Sequence, residues 1–282
     1  MLILRFLAFA LGAYIVFITV LSAIRTFLLP RAAPDPIAGI VFRGLRFIFE
    51  LWSRPQRSYA ERDRVLAYFS PVGLLVLLAM WLALALIGYT FMFWALNVQI
   101  PGLNPWEAAF TVSGSSLFTL GYATVETLPQ KILSFTEAAI GPLLIALLIG
   151  YMPTIYGAFS KREALVNLLE IRAGSPPAAV VIISRYHRLR QLPDIHEMWV
   201  PWEAWFSEIE ETHTSLAMLN FLRSPVPEHS WVNAAGAVLD AAALVVSTVD
   251  IPWNVQGPLC IRAGYIALRR IADFFNIAYD PD

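Results

Sequence analysis

The stretch SLFTLGYATVE, Ser116 to Glu126, sets threonine, glycine, tyrosine and glutamate between two long apolar segments. It reads either as an ordinary loop outside a membrane or as backbone that dips into one. Its flanks bear on the choice. Upstream, no charge occurs between Arg64 and Glu107, and Val72 to Val98 reads as a crossing helix rich in Leu, Ala, Trp and Phe. Downstream, an uncharged run lies between Glu137 and Lys161. Asn104, Pro105 and Glu107 supply a cap, a proline at the first helical position and an acid in the first turn. They predict a short helix from about Pro105 to Phe118 that stops near the glycine of TLGYA. Such a helix is too short to cross a bilayer and return. Polar, non-helical backbone at membrane depth is tolerated only where protein buries it or it lines a water-filled cavity, so the loop becomes a candidate pore.

Composition points to the same solvent. Of 282 residues, 58% are hydrophobic and 15% charged, and the mean hydropathy is +0.62, values that belong to a chain partly in lipid. A formal net charge of -1 lacks the basic excess that nucleic-acid binding needs. The one cysteine, Cys260, excludes an intrachain disulfide framework and reads as a small buried apolar residue. Met1 to Leu29 carries Arg5 and then stays apolar from Phe6 to Ile24. A retained membrane helix is preferred there over a cleaved signal peptide, whose apolar core would be shorter.

The arginines set an orientation. Arg25, Arg31, Arg43, Arg46, Arg54, Arg57, Arg62 and Arg64 follow the first helix, whereas Gln99 to Thr136 offers only Lys131 as a cation. The positive-inside rule puts the arginine-rich connection in the cytoplasm, the N-terminus outside, and the chain beyond Lys161 and Arg162 back in the cytoplasm. The expected organisation is a first transmembrane helix over 1–30 and a cytoplasmic linker over 31–68. A pore domain over 69–160 and a helical cytoplasmic domain over 161–282 follow. The fold class is an all-α membrane protein with three crossing helices and a re-entrant pore helix. Ile40 to Trp52, apolar with Arg43 and Arg46 interspersed, suits either a helix lying on the membrane surface or a loop packed on the neighbouring domain.

SGSSLFTLGYATVETLP followed by AAIGPLLIALLIGYMP resembles the pore loop and inner helix of tetrameric potassium channels, of the bacterial type with one helix, a pore loop and one helix. The likeness covers roughly Pro71 to Arg162 and rests on the order of outer helix, capped pore helix, T-x-G-Y and inner helix. It implies that Thr119, Leu120, Gly121, Tyr122 and Ala123 form a selectivity filter, Thr119 at the cavity end and Tyr122 toward the outside. Carbonyls from four copies would then replace the hydration shell of K+, the permeant ion, and no cofactor is expected. Two positions depart from the family: Ala123 stands where a second glycine is usual, and Thr124 where an aspartate is. An alanine held at positive φ would cost about 1–2 kcal/mol, so relaxed cation selectivity is the first alternative. A non-conducting membrane scaffold or sensor is the second. Glu126 is a candidate for the outer acidic ring, or a solvated side chain. Gly141, Pro142, Gly150 and Pro153 interrupt the inner helix, with Gly150 and Pro153 as candidate gating hinge.

Residues 161–282 hold ten basic and fourteen acidic residues, five tryptophans and prolines at 176, 177, 193, 201, 225, 227 and 252. Helical apolar spacing between these breakers predicts a compact α-helical domain. Trp231 to Val249 is nearly long enough to span, but Asp240 and its many alanines favour a core helix. Trp199, Trp202 and Trp205 read as packing. SRYHRLR, Ser184 to Arg190, suits anionic lipid headgroups or a solvated face, and EIEE, Glu208 to Glu211, is its acidic counterpart. His187, His196, His213 and His229 occur in no metal spacing, and no G-x-G-x-x-G, P-loop or G-x-S-x-G occurs, so neither a dinucleotide sensor nor an enzyme is indicated.

Overall fold

Long apolar runs form helices wherever the backbone must satisfy its own hydrogen bonds, and the chain follows that rule. The computed structural model describes residues 1–29, 35–52, 65–224, 226 and 229–280. Among them the protein is all-helical, without a strand. In chain order the helices are α1 (Leu2–Phe27), α2 (Pro36–Trp52), α3 (Phe69–Ala95), α4 (Pro105–Leu117), α5 (Leu128–Ala173), α6 (Ala179–Arg188), α7 (Trp199–Ser215), α8 (Trp231–Thr248) and α9 (Gln256–Phe274). Short 3-10 turns cover Leu192–Met198 and Ala217–Phe221. Of the arginines that set the orientation, Arg31, Arg54, Arg57, Arg62 and Arg64 lie outside the described residues, as do the breakers Pro225 and Pro227.

Among the described residues, four helices are long and apolar enough to cross a membrane: α1, α3, α5 and α8. The sequence expects three. The fourth, α8, meets the length and hydropathy requirement, yet its alanines 234, 235, 237, 241 and 242 are buried in a helical core while Asp240 is exposed.

The chain divides into two compact units, Met1–Leu51 with Pro71–Pro153, and Trp52–Ser70 with Thr154–Asp282. In the first, α1 packs closely on α3. A Cβ on Gly12 would collide with the Gly88 carbonyl, and one on Gly88 would meet the Gly12 carbonyl at 2.9 Å, the small-residue contact that lets membrane helices approach. A polar stitch reinforces it. Trp81 Nε1 donates to Ser22 Oγ at 2.9 Å, and Ser22 donates to Asp35 Oδ2 at 2.6 Å. The same carboxylate accepts from Ala38 N at 2.8 Å at the start of α2, so Asp35 with Pro36 forms a helix entry. The stretch expected as either surface helix or loop is a helix. Its Val41, Leu45 and Phe49 are buried and its Arg43, Arg46, Phe47 and Ile48 exposed.

Helix α5 runs unbroken through Pro142 and Pro153, where the sequence alone suggests interruptions. It starts nine residues before Glu137 and continues past the charged pair Lys161 and Arg162.

In the second unit, α7, α8 and α9 pack around Trp199, Trp202, Phe206, Ile209, Val238 and Cys260. Trp202 and Trp205 meet edge to face at 4.7 Å, the packing role expected of their three-residue spacing. Arg162 is buried here. It donates to the Leu219 carbonyl at 3.2 Å and the Leu222 carbonyl at 2.8 Å, and pairs with Glu163 at 3.0 Å. Its Nη1 also lies 3.2 Å from His213 Nε2. With His213 Nδ1 placed 2.8 Å from the Ile209 carbonyl, the ring is neutral, donating through Nδ1 and accepting through Nε2. Burial, and then the charge of Arg162, push the His213 pKa down to about 3.

Candidate functional site

The site begins with the cap of α4. Asn104 Oδ1 accepts from the amides of Trp106 at 3.1 Å and Glu107 at 3.0 Å, and Glu107 Oε2 accepts from Asn104 N at 3.2 Å. This reciprocal box, with Pro105 at the first position, starts the helix where the sequence predicts it. Ala108, Ala109, Val112 and Leu117 bury its apolar side, and Ser113, Ser115 and Ser116 add buried hydroxyls.

At its C-terminal end the chain turns sharply. Thr119 N donates to the Ser116 carbonyl at 3.0 Å, and Leu120 N to the Ser115 carbonyl at 2.8 Å, which Gly121 N reaches at 3.5 Å. Ala123 N donates to Ser115 Oγ at 3.1 Å. Four amides of the stretch are therefore held by α4. Its carbonyls are not: among the described residues, no oxygen from Thr119 to Ala123 accepts a hydrogen bond. Thr119 to Tyr122 are exposed on the single chain, so these oxygens stay open to water or to another partner.

The backbone is left-handed at Thr119, φ +53°, and Gly121, φ +73°. Ala123 is not among the residues of positive φ, which corrects the expected strain at that position. Its amide is held by Ser115, and its side chain packs partly against the cluster of Tyr89, Phe93 and Val112. Strain falls instead on Thr119, whose Oγ1 donates to the Phe118 carbonyl at 2.8 Å. Leu120 and Tyr122 are 62% and 65% exposed on the single chain, and Glu126 is exposed as well. Tyr122 and Glu126 border a cavity of about 910 Å³ with Asn97, Thr111 and Gln130.

Helix α5 meets α4 along one face. Ser134 Oγ lies 2.7 Å from Ser116 Oγ, and Ser113 Oγ donates to Glu137 Oε1 at 2.5 Å. A Cβ on Gly141 would occupy the position of the Leu117 carbonyl, so that glycine is fixed by contact with α4. Gly150 and Pro153 lie on the exposed face of α5, and an added Cβ at Gly150 would meet open space. Neither is among the residues that hold the Thr119 to Ala123 stretch in the hydrogen bonds described above. Ser113, Ser115, Ser134 and Glu137 lie outside both the cap signature and the T-x-G-Y motif. The available signals were three hydroxyls crowded into a short helix and a lone acid at the edge of an uncharged run.

The arrangement leaves a run of backbone oxygens without a hydrogen-bond partner among the described residues, next to one hydroxyl, Ser115 Oγ, that holds an amide of the same stretch. Among the described residues no three of His, Cys, Asp and Glu gather as metal ligands. Compared with protein families, curated proteins and solved structures, the chain matches none.

Proposed function

We propose that the protein is the subunit of a homotetrameric channel for monovalent cations in a cell membrane, with K+ as the permeant ion and Thr119 to Ala123 as the filter. The observation that carries this reading is the division of labour in that stretch, where four amides are bound to α4 and, among the described residues, the carbonyls accept nothing. Four such rows around one axis would present oxygens to an ion in place of water. The apolar helices and the arginine distribution support insertion with the N-terminus outside and residues 161–282 in the cytoplasm. Glu126, exposed at the filter exit, is suited to attract cations there. Efflux of rubidium from liposomes holding the purified protein tests the reading. Rubidium release with little sodium release is expected, and a silent preparation beside a conducting control would overturn it.

A second reading, relaxed selectivity, rests on Ala123 and Thr124 standing where the resembling channels carry glycine and aspartate, and not on strain, since Ala123 lies outside the positive-φ residues. Substituting Ala123→Gly separates the two. A raised rubidium-to-sodium ratio supports relaxed selectivity in the native protein, and an unchanged ratio supports the strict filter.

A further inference from the structure

Glu137 has no exposed surface, and its Oε2 meets no hydrogen-bond partner among the described residues. An acid in a membrane-spanning helix is costly and marks function more often than packing. Its other oxygen explains the position. Oε1 accepts from Ser113 on α4, and Ser113 Oγ also lies 3.1 Å from the Leu86 carbonyl of α3. One hydroxyl thus joins three helices.

The contact has a register. Three residues on from Ser113, Ser116 pairs with Ser134, three residues back from Glu137. A further turn along α5, Gly141 admits the Leu117 carbonyl. Rotation and height of α4 are therefore fixed from α5 at three successive points, and the same helix holds the filter amides through Ser115 and Ser116. A shift of α4 would move every oxygen of the filter.

We infer that Glu137 is a positioning residue for ion selectivity, acting through Ser113 on the pore helix and never touching the ion. The inference rests on the channel reading above. What it requires of residue 137 is an acceptor at the Oε1 position. Glutamine supplies one of the same shape, and leucine supplies none.

Full-length wild type, Glu137→Gln, Glu137→Leu, Ser113→Ala and the Ser113→Ala/Glu137→Leu double variant are reconstituted side by side. Rubidium and sodium efflux are read from each, with oligomeric state checked by gel filtration. Glu137→Leu is expected to lower the rubidium-to-sodium ratio about tenfold, the scale of one lost hydrogen bond. Ser113→Ala should reproduce that loss, the double variant should add nothing, and Glu137→Gln should keep the wild-type ratio. A purely structural role would reduce assembly without changing the ratio. Should Glu137→Leu not assemble, Ser113→Ala, which removes only a hydroxyl, carries the comparison. A conducting Ser113→Ala with the wild-type ratio overturns the inference, and so does a Glu137→Gln protein that loses selectivity as fully as Glu137→Leu. A silent wild type overturns the channel reading together with the inference; a conducting wild type with unmoved variants overturns the inference alone.

Discussion

Nothing within 4 Å would meet a Cβ placed on Gly121, yet its φ of +73° is one that side chains resist. The need for glycine there is conformational. Gly121→Ala is expected to cost about 1–2 kcal/mol at that residue and to abolish rubidium efflux while leaving the oligomer intact on gel filtration. His213 shows how burial sets a residue's chemistry in the other unit. Its pKa, near 6.5 when unfolded, is pushed down to about 3 in the fold, so between those values the unfolded chain binds the extra proton. Stability is then fully present above about pH 6.5 and declines toward pH 3, by about 1.4 kcal/mol per pH unit at most. Thermal unfolding of the full chain followed by tryptophan fluorescence should show the midpoint falling as pH drops from 7 to 5. In His213→Gln, where no imidazole is left to titrate, that dependence should flatten.

The elements differ in how openly the sequence announces them. Helix α4 was legible almost to the residue, because Asn104, Pro105 and Glu107 act within one turn and depend on nothing distant. Its end lies one residue before the expected Phe118, and the chain turns there through Thr119 at positive φ, ahead of the glycine. Helix α5 was not legible at either boundary. Hydropathy reports which residues suit lipid, whereas a helix stops only where its backbone finds other partners, so α5 carries on through two prolines and a charged pair. The side-chain contacts between α4 and α5, Ser113 with Glu137 and Ser116 with Ser134, join residues 24 and 18 positions apart, and no local pattern encodes such pairs. The crossing of α1 on α3 was equally hidden, since Gly12 and Gly88 are unremarked in any motif. It yields a prediction: Gly12→Leu would drive a side chain into the Gly88 carbonyl. Loss of that close packing is expected to lower the thermal midpoint of the detergent-solubilised protein by several degrees, with a smaller effect from Gly12→Ala.

At the scale of the whole molecule, the channel reading demands company. One chain supplies one row of carbonyls, and coordination around an ion needs several rows converging. Purified protein in mild detergent should therefore run as a tetramer when its mass is measured by light scattering, and a stable monomer or dimer would exclude a fourfold filter. Leu143, Ile149, Met152 and Tyr156 of α5 are exposed on the single chain, as are many side chains of α1, and lipid or neighbouring subunits would cover such surface. The sequence made the membrane character and the helical second unit plain through composition and period. It could not show that four helices qualify as spans, because Trp231–Thr248 combines the hydropathy of a crossing segment with the alanine-rich face of a soluble core.

The seat of Leu117 on Gly141 has a mechanical meaning. Side chains between two helices act as springs, changing rotamer to absorb displacement, but here bare backbone rests on bare backbone. Slack is absent at that one point. A tilt of the long helix about that point would reach the C-terminal foot of the short one with little side-chain give to soften it.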